Sequence, residues 1–490
     1  TDGSTSPSLG GNYRLNVRGK YVLAPGVQRN HYETRFNSDK MNLFIDLAGS
    51  SYESSYFNFS GGGEWSLQSE LNLNYLYFLG GQMNTNGFNL KVNQLLYGDG
   101  NAANVLNTGS GDVTVRSLSS NGMLITGSSQ WYLNAPTGGS SYELGRDLNL
   151  TNVVIEGGHY NLFGDNTFTN LVLEAGSTIT IEDGFSLTVN NDLTAVGSRD
   201  NMISINSQSE GIQSTIFTSG ASLTLDYIQV QDNIIDNGSA NLVVPNNAID
   251  NGNNTGWDFS NAITPLDFYW VGGSGSWSEF SSHWAKLSGG GGFHDSAPGP
   301  VDDVIFDQNS FPSGGTLTVD SEVEINDMIW TSGSGTNNPI LQADYNNGMF
   351  IHGDFILDPG VQRRISRIYF ESGAGDIQNL HFGDNSGDEY SEMYFQGGGT
   401  WNLSSELVTY YVYLYDGTFN TNSNNLSIRY LYLYNDMSVS NWGNSNVTIR
   451  GQLYRSAAAA AFNADNSSFI FENNASLIGP FTLNSVSYTH

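Results

Sequence analysis

Cysteine is absent. That removes disulfides, thiolate metal sites and thiol catalysis. Lysine is almost missing too, with Lys20, Lys40, Lys91 and Lys286 alone. A polysaccharide lyase would usually want Lys or Arg as base or charge neutraliser, so that chemistry is disfavoured. Basic residues number 17 against 48 acidic ones, for a formal net charge of −31. Such a surface repels phosphate backbones and anionic lipid headgroups, which argues against nucleic acid and membrane surfaces as partners. The negative excess serves solubility by self-repulsion, or, more specifically, divalent-cation binding by some of the carboxylates. Proline is sparse, at 11. No apolar stretch approaches the roughly 18 residues of a membrane span. Residues 1–20 lack the apolar core of a signal peptide, and the chain opens as though part-way through a longer protein.

What is present is glycine, serine, asparagine and aromatics. Aromatics make up 12% and hydrophobic residues 38% of the chain. That is enough to bury a core, so wholesale disorder is excluded. Apart from residues 1–12, which read as a loop or cut end, the apolar residues fall in short alternating runs between polar turns. Leu71, Leu73, Tyr75 and Tyr77 are one such run. This is the signature of an all-β protein.

Internal repetition is plain. Pro25-Gly26-Val27-Gln28-Arg29 recurs at Pro359 to Arg363, an offset of 359 − 25 = 334. Gly61-Gly62-Gly63 with Trp65 recurs as Gly397-Gly398-Gly399 with Trp401, and 401 − 65 = 336. Asn84-Thr85-Asn86 recurs as Asn420-Thr421-Asn422, again at 336. Val113 to Arg116 matches Val447 to Arg450 at 334, and Leu150 to Val153 matches Leu483 to Val486 at 333. Five islands at nearly one offset make residues 15–153 and 349–486 copies of one unit of about 335 residues. The second copy has no counterpart of residues 154–262, so the chain reads as a window cut from a longer tandem array.

A finer period runs through residues 163–230. The triplets Leu171-Val172-Leu173, Ile179-Thr180-Ile181 and Leu187-Thr188-Val189 are spaced by eight. Leu193 to Ala195, Ile203 to Ile205, Leu223 to Leu225 and Ile228 to Val230 continue the theme. Each piece is too short to stand alone as a hairpin. Stacked as coils with three short faces, the pieces bury a continuous inner column. A string of β-sandwiches would want fewer, longer strands. The expected fold is therefore an all-β parallel β-solenoid (β-helix) built from tandem repeats of about 335 residues, a fragment of a longer filament. With coils of roughly 22–26 residues stacked about 4.8 Å apart, one repeat would extend on the order of 65 Å. Asn and Ser at the turns are expected to form ladders between coils. In Val408 to Tyr415, alternate side chains should point inward and the rest should line the outer face. The run Ala457 to Ala461 is too short for an independent helix and is expected as a corner or a brief helical excursion.

The organisation that follows is residues 1–262 as the later part of one repeat, 263–312 as a Trp/Gly-rich joint opening the next, and 313–490 as that next repeat. The joint holds the candidate sites. Trp270, Trp277 and Trp284 offer either a sugar-stacking platform or the small core of a plug that covers a solenoid end. Asp302, Asp303 and Asp307 form the most suggestive acidic cluster. They are weak calcium candidates, since hard oxygen ligands suit Ca²⁺, and no DxDxDG loop supports them; otherwise Asp302 and Asp303 cap the entry to the first coil. The seven histidines show no HExxH-type spacing, and no carboxylate pair is singled out for hydrolysis. Catalytic residues and resident cofactors are therefore not expected.

At the joint the string YWVGGSGSWSEFSSHWAKLSGG, followed by VDDVIFDQNSF, resembles the opening of repeat units in giant cell-surface adhesins of Bacteroidota, the SprB-like gliding-motility adhesins. The close of the first copy, Asn246 to Phe259, is similar. The resemblance implies export by the type IX secretion system, display at the outer membrane, and contact with a substratum or surface polysaccharide and with the gliding machinery. It also implies that Asp295-Ser296-Ala297 is an O-glycosylation site, with Ser296 as acceptor. The secretion domain of such proteins is not in this sequence. The function expected is a non-enzymatic adhesin segment acting as a rigid repeat spacer. A carbohydrate-binding repeat array is the alternative, and a polysaccharide-degrading β-helix enzyme a more distant one.

Overall fold

The computed structural model describes residues 8–48, 56–99, 104–136, 141–383, 391–456, 464, 466–472, 475–481, 483 and 485–489. The Ala457 to Ala461 run and His490 lie outside the described residues. The chain divides into two compact units, Thr1–Ile263 and Thr264–His490. Both are parallel β-solenoids. Residues 8–12, expected as loop, belong to a strand, Ser8–Val17, that pairs in parallel with Gln28–Phe36.

In the first unit the short triplets become three faces of a coil. Tyr160, Ile179, Ile205 and Val230 stack on one face. Leu187, Ile216 and Ile235 stack on the second, and Leu171, Leu193 and Leu223 on the third. Strands such as Asn166–Glu174 and Ser186–Val196 run through a corner and serve two faces; the register shifts at the bend, between Phe168 and Asn170. In these stacks a coil takes 179 − 160 = 19 to 223 − 193 = 30 residues, wider than the expected range. The period-2 pattern now has its cause. Successive side chains on a strand point to opposite sides, so Leu171, Leu173, Ile179 and Ile181 are buried while the residues between them face out. The apolar column is continuous within each unit.

Polar residues hold the corners in the expected ladders. Asn170 donates from Nδ2 to Asn152 Oδ1 at 2.6 Å, and Asn191 donates likewise to Asn170 at 2.8 Å. In the second unit Asn420 donates to Asn402 at 2.8 Å.

The repeat islands occupy equivalent places. Strand Glu64–Leu67 corresponds to Thr400–Leu403, with 400 − 64 = 336, and Leu90–Gly98 to Leu426–Asn441, with 426 − 90 = 336. The triple glycine passes over the previous coil. A Cβ on Gly61 would sit 2.6 Å from the Ser38 carbonyl oxygen, and one on Gly397, its counterpart, would sit 2.7 Å from that of Ser372. Both approaches leave no room for a side chain. The Asn-Thr-Asn island is a corner with an inward hydroxyl. Thr85 donates to the Thr108 carbonyl at 2.6 Å and Thr421 to that of Trp442 at 2.8 Å, both threonines fully buried. The following asparagine is left-handed, with φ of 53° at Asn86 and 50° at Asn422. It donates back to the carbonyl of Leu67 in one copy, at 2.9 Å, and of Leu403 in the other, at 3.1 Å. The two acceptors are also 403 − 67 = 336 apart.

Asn422→Ala would lose that hydrogen bond and force alanine into the left-handed region, so urea unfolding should show a loss of about 1–2 kcal/mol. Asn422→Gly, which tolerates the backbone, should lose less. Equal losses would show that the conformation is not what selects asparagine at this corner.

Candidate functional site

The stretch 263–312 folds as the opening of the second unit. Strand Asp267–Trp270 pairs in parallel with Asp303–Phe306 and antiparallel with Trp284–Ala285. One helical turn, Phe280–His283, carries the chain between them. The three tryptophans converge. Trp284 meets Trp270 edge-on at 4.9 Å and Trp277 at 4.8 Å. The Trp270 indole donates to the Gly273 carbonyl at 2.8 Å, and that of Trp284 to the Trp277 carbonyl at 2.9 Å. His283 stacks on Trp270 at 4.5 Å and donates from Nδ1 to the Val271 carbonyl at 2.6 Å. Its ring fills the space beside Gly275, where a Cβ would come within 2.4 Å of Nε2. His294 stacks on Phe268 at 3.8 Å.

This geometry corrects one of the two readings of the tryptophans. Trp270, Trp277 and Trp284 are 0%, 1% and 0% exposed and belong to the apolar column of the second unit. A ring covered on both faces by protein has none left for a sugar, so the platform is not there.

The acidic cluster spreads its contacts. Asp302 is fully buried and accepts from the Leu266 N–H through Oδ1 and the Gly299 N–H through Oδ2, both at 2.9 Å. Asp303 accepts from Asn326 Nδ2 at 2.7 Å and the Asp327 N–H at 3.2 Å, on the next coil. Asp307 accepts from the Asn309 N–H at 2.8 Å and from the Ser288 hydroxyl. Asp302 thus ties the entry of the first strand to the turn before the second. Among the described residues no three His, Asp or Glu side chains gather as a metal-ligand group. Ser296 is half-buried in a bend, between exposed Asp295 and buried Ala297. His159, beside Thr180, and His381, beside Ser404, stand apart from the joint.

A different surface is built with more regularity. On the outer side of one sheet of the second unit, Phe350, Tyr369, Tyr394, Tyr413 and Tyr432 stack coil over coil. Successive ring centroids are 4.4, 4.6, 4.7 and 5.1 Å apart. Parallel ladders run beside it, Tyr411 on Tyr430 at 4.8 Å and Tyr415 on Tyr434 at 4.7 Å. Along the strands the spacing is 5.8 Å from Tyr411 to Tyr413 and 6.4 Å from Tyr413 to Tyr415. The result is a two-dimensional grid of phenols, half-buried apart from exposed Tyr415, over buried Val412, Leu414, Leu431 and Leu433. Burial, then the neighbouring Glu392 and tyrosines, raises Tyr413 above its ordinary value. Burial, with adjacent tyrosines, likewise raises Tyr411 and Tyr432. Tyr394 is raised by burial and by its 2.7 Å hydrogen bond to Glu392. The first unit carries a smaller version. Tyr56 stacks on Tyr75 at 4.4 Å, and Tyr77 lies 5.8 Å from Tyr97. There burial, with Tyr32 and the two tyrosines above, pushes Tyr56 up to about 12. The Tyr-rich strand was visible in sequence; that its tyrosines join Tyr369 and Tyr394 in one grid depends on inter-coil register.

No protein-family model, no curated protein and no solved structure matches this chain.

Trp277→Ala would open a cavity in the opening core and should cost about 3–5 kcal/mol in unfolding. Asp302→Ala would strand two N–H groups and should cost about 1–3 kcal/mol. Stability unchanged in both would refute a structural role for the joint. The raised phenols give a pH expectation as well. Above pH 10 the unfolded chain sheds phenolic protons that the folded one keeps, so stability present below that pH falls as pH rises toward the folded-state values. Tyrosinate absorbance should accordingly appear later in the folded chain than in denaturant.

Proposed function

We propose that the chain is a non-enzymatic segment of a filamentous cell-surface adhesin serving attachment and gliding motility, with its repeats acting as a stiff spacer. The observation that carries this reading is the parallel stacking of coil on coil within each unit. Strand Leu407–Asn420 pairs along most of its length with Leu426–Asn441, and that strand with Asn446–Arg455. A coil cannot yield without giving up a ladder of hydrogen bonds and part of the apolar column together. The WVGG, HW and DDVIFD motifs supply the link to the Bacteroidota adhesins.

In this proposal the segment stands at the cell surface. It is held to the outer membrane through parts of the protein outside this chain, is exported by the type IX route, and has Ser296 as an O-glycan acceptor. Its partners are the gliding machinery, neighbouring repeats, and a substratum or surface polysaccharide. The net charge of −31 keeps such copies apart in solution.

In-frame removal of one repeat copy from the full-length protein in its host should leave cells that attach but carry shorter surface filaments. Normal export with attachment abolished would assign the grip to this segment and overturn the spacer reading.

A further inference from the structure

We infer that the tyrosine grid of the second unit, with its smaller counterpart in the first, is a binding surface for a neutral, hydroxyl-rich polysaccharide, which contacts it through ring edges and phenol hydroxyls. The inference goes beyond the spacer reading and does not depend on it.

Three observations support it. The first is geometric. Rings in each ladder lie nearly parallel, 8° apart between Tyr394 and Tyr413, between Tyr413 and Tyr432, and between Tyr415 and Tyr434. Their flat faces are spent on one another, and the surface they present is a regular field of edges and O–H groups. Each O–H both donates and accepts, and the rings are already immobilised, so little rotamer freedom is left to lose on binding. A polymer with a hydroxyl on nearly every carbon matches that field.

The second is charge. The chain carries −31, and carboxylates gather at the Phe350 end of the ladder, where Glu324 pairs with Phe350 and Glu322 lies near Tyr369; further along the grid the nearby charges are engaged with partners. Glu392 accepts from Tyr394 and lies 3.6 Å from Arg367 Nε. Arg367 covers Tyr345 at 3.6 Å, and Arg429 covers Tyr410 at 4.8 Å. The phenols are neutral at ordinary pH, as any phenol is, and burial only raises Tyr411 and Tyr432 further. An anionic polymer is repelled by the chain as a whole, and a cationic one is drawn to the carboxylates elsewhere. A second copy of the chain brings the same negative charge. The face is mostly neutral phenol, with exposed Arg429 at its margin, and so suits an uncharged partner.

The third is recurrence within the chain. Outward positions differ between the copies: at the 336 offset Asn72 corresponds to Val408 and Asn74 to Tyr410. Tyr75 and Tyr77 nevertheless recur as Tyr411 and Tyr413, since 75 + 336 = 411 and 77 + 336 = 413. Stacking alone would accept phenylalanine at these sites, and both copies carry the hydroxyl.

The test compares the whole chain with the variant Y75F/Y77F/Y411F/Y413F/Y432F, which keeps every stacked ring and removes five hydroxyls. Retention is measured on agarose and microcrystalline cellulose as neutral polymers, on alginate as an anionic one and on chitosan as a cationic one. The wild-type chain should be retained on at least one neutral polymer and not on alginate. Chitosan should hold wild type and variant equally and release both in salt. The variant should lose about tenfold or more in neutral-polymer affinity, the scale of a few net hydrogen bonds, with its melting temperature and circular dichroism unchanged. No retention of wild type on either neutral polymer, equal retention of the variant, or equal retention on alginate would overturn the proposal. So would self-association by sedimentation that the variant abolishes, which would assign the face to a second copy.

Discussion

In-register parallel pairing between successive coils is the constraint on which the other features depend. A residue in one coil lies about 4.8 Å from its counterpart in the next, so like tends to fall on like. Leu171, Leu193 and Leu223 make a column of core. Asn152, Asn170 and Asn191 make a ladder at a corner. Tyr394, Tyr413 and Tyr432 make a ladder on the outside. Interior, edge and surface obey one rule, and they differ only in whether the stacked groups meet apolar contacts, one another's amides or solvent.

The rule leaves a difficulty at the ends, where a coil has no neighbour on one side. At the start of the second unit the chain answers by changing the pairing. An antiparallel strand pair, a helical turn and three packed indoles close the column, and Asp302 ties the entry to the turn beyond it. The residues that look most like a site in a linear reading, aromatics and carboxylates close together, are consumed by that closure. Burial is what separates the two possibilities: an indole with no exposed face and a carboxylate saturated by N–H donors have nothing left to offer a ligand.

The outer face of the same unit is the converse. Its tyrosines add to stability by stacking across strands, yet they remain half open to solvent and neutral within a strongly acidic chain. A stiff scaffold displaying a regular uncharged field can hold a polymer off the acidic bulk of the protein, and it suits a segment whose proposed work is mechanical.

The alternation of Leu71, Leu73, Tyr75 and Tyr77, the triplets between residues 171 and 230 and the offset of about 335 were enough, by themselves, to determine an all-β parallel solenoid and its duplication. These signals are local or periodic, and the pleat of a strand converts them directly into inside and outside. The fate of Trp270, Trp277 and Trp284 was open in sequence because an aromatic looks the same whether its face is covered or bare, and the residues that pack on them come from up to 41 positions away, as with Phe311 against Trp270 and Thr318 beside Trp277. The tyrosine grid was only half legible for the same reason. Tyr411, Tyr413 and Tyr415 declare a shared face through their spacing of two. Their alignment with Tyr369, Tyr394 and Tyr432 depends on coil length and on register shifts at the corners, and those were decided only by the packing of one coil on the next.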